Sequence, residues 1–97
     1  MGKLDKAKEY LKRGLDLDHK NMMILNALIE TYFMEEDVGN IEEFSRRALE
    51  IEPENARNLL FLGSAILFKG RASEAIELFR KAETLGAPED QIARIMG

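Results

Sequence analysis

The feature that most constrains this fold is an internal repeat. Shifting the sequence by 34 residues brings similar residues into register along most of its length. The positions that coincide are Leu4, Val38 and Ala72; Ala7, Ile41 and Ala75; Gly14, Ala48 and Ala82; and Leu17, Ile51 and Leu85. A repeat of this length with helical spacing inside each unit predicts a stack of helix pairs, in which neighbouring pairs bury one continuous core.

Apolar stripes and helix caps inside each unit support this interpretation. One stripe, with i, i+3, i+4, i+7 spacing, comprises Leu25, Leu28, Ile29 and Tyr32, and the second comprises Leu59, Leu62, Gly63 and Ile66. Asn21 and Asn55 occupy expected N-cap positions, Asn40 with Glu43 resembles a capping box, and Gly39, Gly70 and Gly86 mark turns. The predicted helices span residues 3–17, 21–35, 40–51, 55–69 and 73–85, with a short one from about 89.

The segment from Leu59 to Ala82 resembles a known repeat family. Leu59-x2-Leu62-Gly63-x2-Ile66, followed by Ala75-x3-Phe79 and Ala82, is similar to the tetratricopeptide repeat pattern Trp-x2-Leu-Gly-x2-Tyr, Ala-x3-Phe. The resemblance covers nearly the whole chain. It implies an all-α, right-handed solenoid of stacked antiparallel helix pairs, about 2.5 units long.

The unit before it departs from the pattern at three positions. Ile29 and Ile41 stand where small residues are usual, and Ser45 stands where an aromatic residue is usual. Two enlarged positions and one reduced position keep the total volume roughly constant. We therefore expect a slightly altered helix crossing in this unit and the same fold.

The resemblance also divides the chain into units. Residues 1–20 are the second helix of a partial repeat, residues 21–54 and 55–88 are complete repeats, and residues 89–97 begin a further helix. Apolar residues at both ends lack a capping helix, which indicates either a piece of a longer array or ends used for self-association, with a two-fold dimer as the expected assembly. The residues expected at a self-association surface are Leu4, Ala7, Leu11, Ile92, Ile95 and Met96.

Composition and motifs argue against several classes of function. The formal net charge of −4 disfavours general binding to nucleic acids or acidic membranes, and RNA-reading helical repeats need basic residues that this chain lacks. His19 has no partner nucleophile or second metal ligand at motif spacing, so we expect no enzyme activity, metal or cofactor. The absence of cysteines and of an N-terminal apolar signal is compatible with a cytoplasmic location.

What remains is a surface that the resemblance assigns to protein binding. In tetratricopeptide proteins the first helix of each pair lines a concave groove. Residues on that side are Met23, Asn26, Ala27, Glu30, Met34, Arg57, Leu60, Phe61, Ser64 and Phe68. Glu30 and Phe61 replace residues of the Lys, Asn and Arg set with which one subgroup clamps chaperone tails, so that activity is not expected.

The leading functional hypothesis is therefore a scaffold or adaptor that binds a partly apolar peptide in this groove. The alternative is a homo-oligomerisation module that uses its uncapped ends. RNA binding is the weakest of the three. Phe61 and Phe68 are compatible either with a peptide site or with packing on a neighbouring repeat.

Overall fold

A computed structural model describes the backbone of residues 2–86 and the side chains of residues 5–86. Within this range all regular structure is helical: α1 (Gly2–Leu17), α2 (Met22–Met34), α3 (Val38–Ile51), α4 (Ala56–Phe68) and α5 (Ala72–Thr84). Each helix packs against the next one along the chain, and α2 also contacts α4. The predicted all-α helical-repeat solenoid is confirmed. The short helix predicted from about residue 89 lies outside the described residues.

Helix starts follow the predicted asparagine caps in both complete repeats. The side-chain oxygen of Asn21 accepts a hydrogen bond from the Ile24 amide, and that of Asn55 accepts one from the Asn58 amide, each at 3.1 Å. Each cap satisfies one of the amides that a helix N-terminus leaves unpaired. Because these caps stand 34 residues apart, they start α2 and α4 at equivalent positions.

The start of α3 was predicted wrongly. Asp37 is the N-cap, since its carboxylate accepts from the Asn40 amide at 3.4 Å, and Asn40 itself lies inside the helix. Gly39 is also helical and does not mark a turn. The turn instead lies at Glu36, whose φ of 57° corresponds to the φ of 83° at Gly70, one repeat later. A side chain in this left-handed conformation costs about 1–2 kcal/mol, which glycine avoids.

Small residues determine how α4 and α5 pack. A Cβ atom added to Gly63 would lie 2.7 Å from the Phe79 ring, and both Ala75 and Phe79 are buried in the same cluster. Gly63 and Ala75 therefore lie at the helix-pair contact, as the repeat pattern predicts. In the preceding pair, α2 and α3, Gly63 corresponds to Ile29 and Phe79 corresponds to Ser45, and both Ile29 and Ser45 are buried. The large side chain there comes from the first helix of the pair and the small one from the second.

Ion pairs connect successive repeats at equivalent positions with reversed charges. Lys8 in α1 pairs with Glu35 after α2 at 2.9 Å, whereas 34 residues later Glu42 in α3 pairs with Lys69 after α4. If α1 packed against the end of α4 instead of the end of α2, Lys8 would face Lys69. If α3 packed against the end of α2, Glu42 would face Glu35. Like charges oppose such contacts, so this arrangement favours the observed stacking order.

In each ion pair, the pKa of the residue inside the helix, Lys8 or Glu42, is shifted in the direction that favours its charged form. The hydrogen bond to Glu35 raises the pKa of Lys8, and the hydrogen bond from Lys69 is the main cause of the lowered pKa of Glu42. The contribution of Lys8 to stability is present below its unfolded-state pKa and is lost as the pH rises through its folded-state value. That of Glu42 is present above its unfolded-state pKa and is lost as the pH falls through the folded-state value.

Candidate functional site

The face formed by α2 and α4 carries large exposed apolar side chains at its ends. Met23 and Met34, from the two ends of α2, are 83% and 65% exposed, and Phe68 at the end of α4 is 68% exposed. Exposed apolar side chains that share one face favour contact with a partner. All three belong to the set predicted from the sequence.

The middle of this face is held together by contacts between the two helices. Glu30 of α2 forms an ion pair with Arg57 of α4, and the guanidinium of Arg57 lies 5.6 Å from the centre of the Phe61 ring. Phe61 packs edge-to-face on Phe33, with 5.2 Å between ring centres and 69° between ring planes. Such aromatic pairs stabilise a contact by about 0.5–1.5 kcal/mol beyond the area they bury.

Phe61 therefore packs on the neighbouring repeat, whereas Phe68 is largely exposed. Phe61 is half-buried against the core cluster that also contains Leu28 and Ala65. Asn26 accepts a hydrogen bond at 3.3 Å from the side-chain amide of the buried Asn58. Phe61 and Asn26 thus join the two repeats while leaving part of their surface available to a ligand.

Two predicted groove residues lie in the core instead. Leu60 is 4% exposed and belongs to the cluster that includes Phe79 of α5, and Ser64 is 2% exposed. Both were assigned to the groove because they lie away from the apolar stripe of α4. That assignment was wrong for both residues, because α4 contacts α2, α3 and α5, and burial extends well beyond the single stripe that faces its own partner helix.

Sequence reasoning missed Phe33 as part of this face. Its ring contacts Phe61, and about a third of the residue remains exposed. The signal was present, because Phe33 lies three residues after Glu30 and seven after Asn26, which is the spacing of one helix face. Ala27, half-buried between Met23 and Glu30, completes the predicted α2 set.

The second predicted surface, on α1, is only half-buried. Ala7 and Leu11 of the predicted set are partly accessible, as is the nearby Gly14, whereas the counterparts of all three in α3 and α5 are fully buried against the first helix of the same repeat. These counterparts are Ile41, Ser45 and Ala48 in α3 and Ala75, Phe79 and Ala82 in α5. The remaining members of the predicted self-association set, the Leu4 side chain and Ile92, Ile95 and Met96, lie outside the described residues.

His19 is an exposed residue of the turn between α1 and α2. Among residues 5–86, no group of three or more histidine, aspartate or glutamate side chains is placed to hold a metal ion. None of the five helices is long and apolar enough to cross a membrane.

Comparison with known proteins adds one finding to this geometry. The family model described as tetratricopeptide repeat matches residues 1–21, which include α1. No curated protein matches the chain significantly. Within the matched segment, Gly14 aligns with Ala48 and Ala82, and Ala7 aligns with Ile41 and Ala75. The match supports a tetratricopeptide repeat over residues 1–21, and the 34-residue period and the stacked helix pairs are consistent with such repeats along the described part of the chain.

Proposed function

We propose that this chain is a scaffold or adaptor module that binds a partly apolar peptide segment of another protein along the face formed by α2 and α4. Tetratricopeptide repeats generally serve as protein–protein interaction modules and not as enzymes. The observation that carries the proposal is the exposure of Met23, Met34 and Phe68 on one face. By the resemblance to tetratricopeptide proteins, in which the first helix of each pair lines the groove, this face corresponds to the groove.

The chemistry of the face suits an apolar ligand better than a charged one. Methionine side chains are flexible and polarizable, so Met23 and Met34 can adapt to different apolar side chains. The ion pair between Glu30 and Arg57 compensates the charge at the centre of the face. Phe33 and Phe61 provide a firm aromatic surface beside that ion pair. A peptide with two or three spaced apolar residues matches this pattern.

Replacing Phe68 by alanine should weaken peptide binding without weakening the fold. The probe is a peptide selected from a random display library against the full chain, with its affinity measured by fluorescence anisotropy. Loss of an aromatic anchor that a partner buries costs about 2 kcal/mol, which corresponds to a roughly 30-fold higher dissociation constant. Because Phe68 is largely exposed, the free energy of unfolding should change by less than about 0.5 kcal/mol.

The matched control is Tyr10→Ala, which removes a 70% exposed aromatic side chain from α1, away from the α2 and α4 face. Its effect on the affinity of the selected peptide should be less than about twofold. Selected peptides without apolar residues, or equal losses of affinity in the Tyr10 and Phe68 variants, would contradict the proposal.

Self-association is a second candidate function, favoured by the α1 surface. Ala7, Leu11 and Gly14 form the side of α1 whose counterparts in α3 and α5 are buried against a helix of their own repeat. This side of α1 has the shape to receive a helix, and a second copy of the chain can supply one. A two-fold dimer buries the surface in both copies at once, whereas head-to-tail contacts extend into filaments unless they close into a ring.

Sedimentation equilibrium at several concentrations tests this candidate. We expect a mass that rises toward twice 11.1 kDa, and a return to the single mass in Leu11→Asp and in Ile95→Asp. Leu17→Asp is the control, because Leu17 is exposed at the end of α1 and should leave the mass unchanged. Leu11 also packs against the core, so thermal melts must show that its variant is folded. A single 11.1 kDa species at every concentration would exclude the dimer.

A further inference from the structure

An open cleft lies between α3 and α5, on the side of the molecule that carries the second helix of each pair. Both helices pack on α4, but their backbones do not contact each other. The space between them measures about 350 Å³, at the lower end of the roughly 300–1,000 Å³ of ligand pockets. Leu59 and Leu62 of α4 are nearly buried beneath it, and half-buried Leu49 and Leu78 line it from α3 and α5.

One repeat earlier the equivalent position, between α1 and α3, is filled by an aromatic ring. Phe44 stands 34 residues before Leu78, and it is buried in one cluster with Leu15, Leu25 and Leu28. These three leucines correspond to Leu49, Leu59 and Leu62 of the cleft. The two sites thus share their leucine surroundings and differ in the side chain that covers them.

Tyr10, Phe44 and Leu78 occupy the same position in successive repeats, so the aromatic residue is absent only from the third. Leucine lacks the ring that closes the space in the second repeat. The cleft therefore coincides with the loss of the ring at this position, and the tyrosine on which Phe44 stacks, Tyr32, is also replaced one repeat later, by Ile66.

A cation stands at the same place in both sites. The guanidinium of Arg47 lies 5.1 Å from the centre of the Phe44 ring, a cation–π arrangement. Its counterpart one repeat later is Lys81, which lines the cleft and forms no ion pair with any residue between 5 and 86. The other basic residue of the cleft, Arg46, is already engaged with Glu42 at 3.0 Å.

We propose that this cleft binds an aromatic side chain of a protein partner, in the first instance the phenyl ring of a phenylalanine. The ring would lie over Leu59 and Leu62 as Phe44 lies among Leu15, Leu25 and Leu28. The ammonium group of Lys81 would cover the ring as the guanidinium of Arg47 covers Phe44. This site is separate from the groove face of α2 and α4 and stands independently of the peptide binding proposed there.

Titration of the full chain with N-acetylphenylalaninamide, followed by NMR of the leucine methyl groups, tests the proposal. We expect saturable shifts at Leu49, Leu59, Leu62 and Leu78, with a dissociation constant in the millimolar range that suits a single small side chain. N-acetylleucinamide should bind several-fold more weakly, because it offers no ring to the Lys81 ammonium.

Two variants in the cleft and one control on α1 locate the site. Leu78→Phe supplies the ring from the chain itself and should abolish the saturable shifts at Leu59 and Leu62, with a melting temperature equal to or above that of the unmodified chain. Leu17→Phe, at an exposed position of α1, should bind the probe as the unmodified chain does. Lys81→Ala should weaken binding of the phenylalanine probe by about twofold to fivefold and leave the leucine probe unaffected.

Three results would overturn the proposal. The first is a shift that rises linearly without saturation, which would show that no site exists. The second is equal affinity for the phenylalanine and leucine probes, which would remove the aromatic preference. The third is unchanged probe binding in Leu78→Phe while its melting curve shows an intact fold, which would place the site elsewhere.

Discussion

Replacing Phe79 by alanine should lower the free energy of unfolding by about 3–5 kcal/mol. Phe79 is 2% exposed, and its ring fills the space that Gly63 leaves open between α4 and α5. Truncation would remove the ring and leave a cavity that two helices cannot close without moving apart. Domains of this kind are stable by only about 5–15 kcal/mol, so the loss would be a large part of the total.

Urea denaturation followed by far-UV circular dichroism measures this effect. Two controls separate it from the general cost of a substitution. Phe68→Ala removes the same ring from an exposed position and should change stability by less than about 0.5 kcal/mol. Ser45→Ala changes the residue equivalent to Phe79 and should cost less than about 1 kcal/mol, since the Ser45 hydroxyl donates only to the Ile41 carbonyl and the Glu42 carbonyl of its own helix. Similar losses in all three variants would disprove the assigned packing.

The 34-residue period predicted the helices well because it reports burial repeated along the chain. Asn21 and Asn55 were recognised as caps because both precede an apolar stripe. The start of α3 was misplaced because two polar residues with capping ability, Asp37 and Asn40, lie close together, and sequence alone does not decide between them. Aligning Glu36 with Gly70 would have placed the turn correctly, since equivalent positions 34 residues apart share the same left-handed backbone conformation.

The groove was predicted less completely for a geometric reason. A helical wheel divides a helix into one buried and one exposed side, which holds for a helix with a single neighbour. It correctly left Met34 and Phe68 exposed at the helix ends. In the middle of α4, contacts with three helices bury Leu60 and Ser64 as well. The number of neighbours of a helix depends on how repeats stack, which no pattern within one helix contains.

The substitution Gly63→Leu should also be strongly destabilising. Its Cβ atom alone would approach the Cε1 atom of Phe79 to 2.7 Å, and the Cδ1 and Cζ atoms to 3.0 and 3.1 Å. Overpacking a well-packed contact costs about 1–3 kcal/mol and sometimes more, while replacing a helical glycine regains up to about 1 kcal/mol. Because Phe79 is itself enclosed, we expect a net loss in the upper part of that range. Ile29, the equivalent residue of α2, should tolerate leucine, valine or methionine with a loss below about 1.5 kcal/mol.

The double variant Gly63→Leu/Phe79→Ala tests whether the contact between α4 and α5 can take the arrangement of residue sizes found between α2 and α3. Phe79→Ala alone leaves a cavity, and Gly63→Leu alone leaves a clash with the ring. Together they place a large residue on the first helix and a small one on the second, as Ile29 and Ser45 do in the preceding repeat. In a double-mutant cycle from urea denaturation, the double variant should therefore be more stable than the sum of the single losses predicts, by about 1–3 kcal/mol. Strict additivity, or equal sensitivity of Gly63 and Ile29 to the same substitutions, would show that these residues do not occupy equivalent positions.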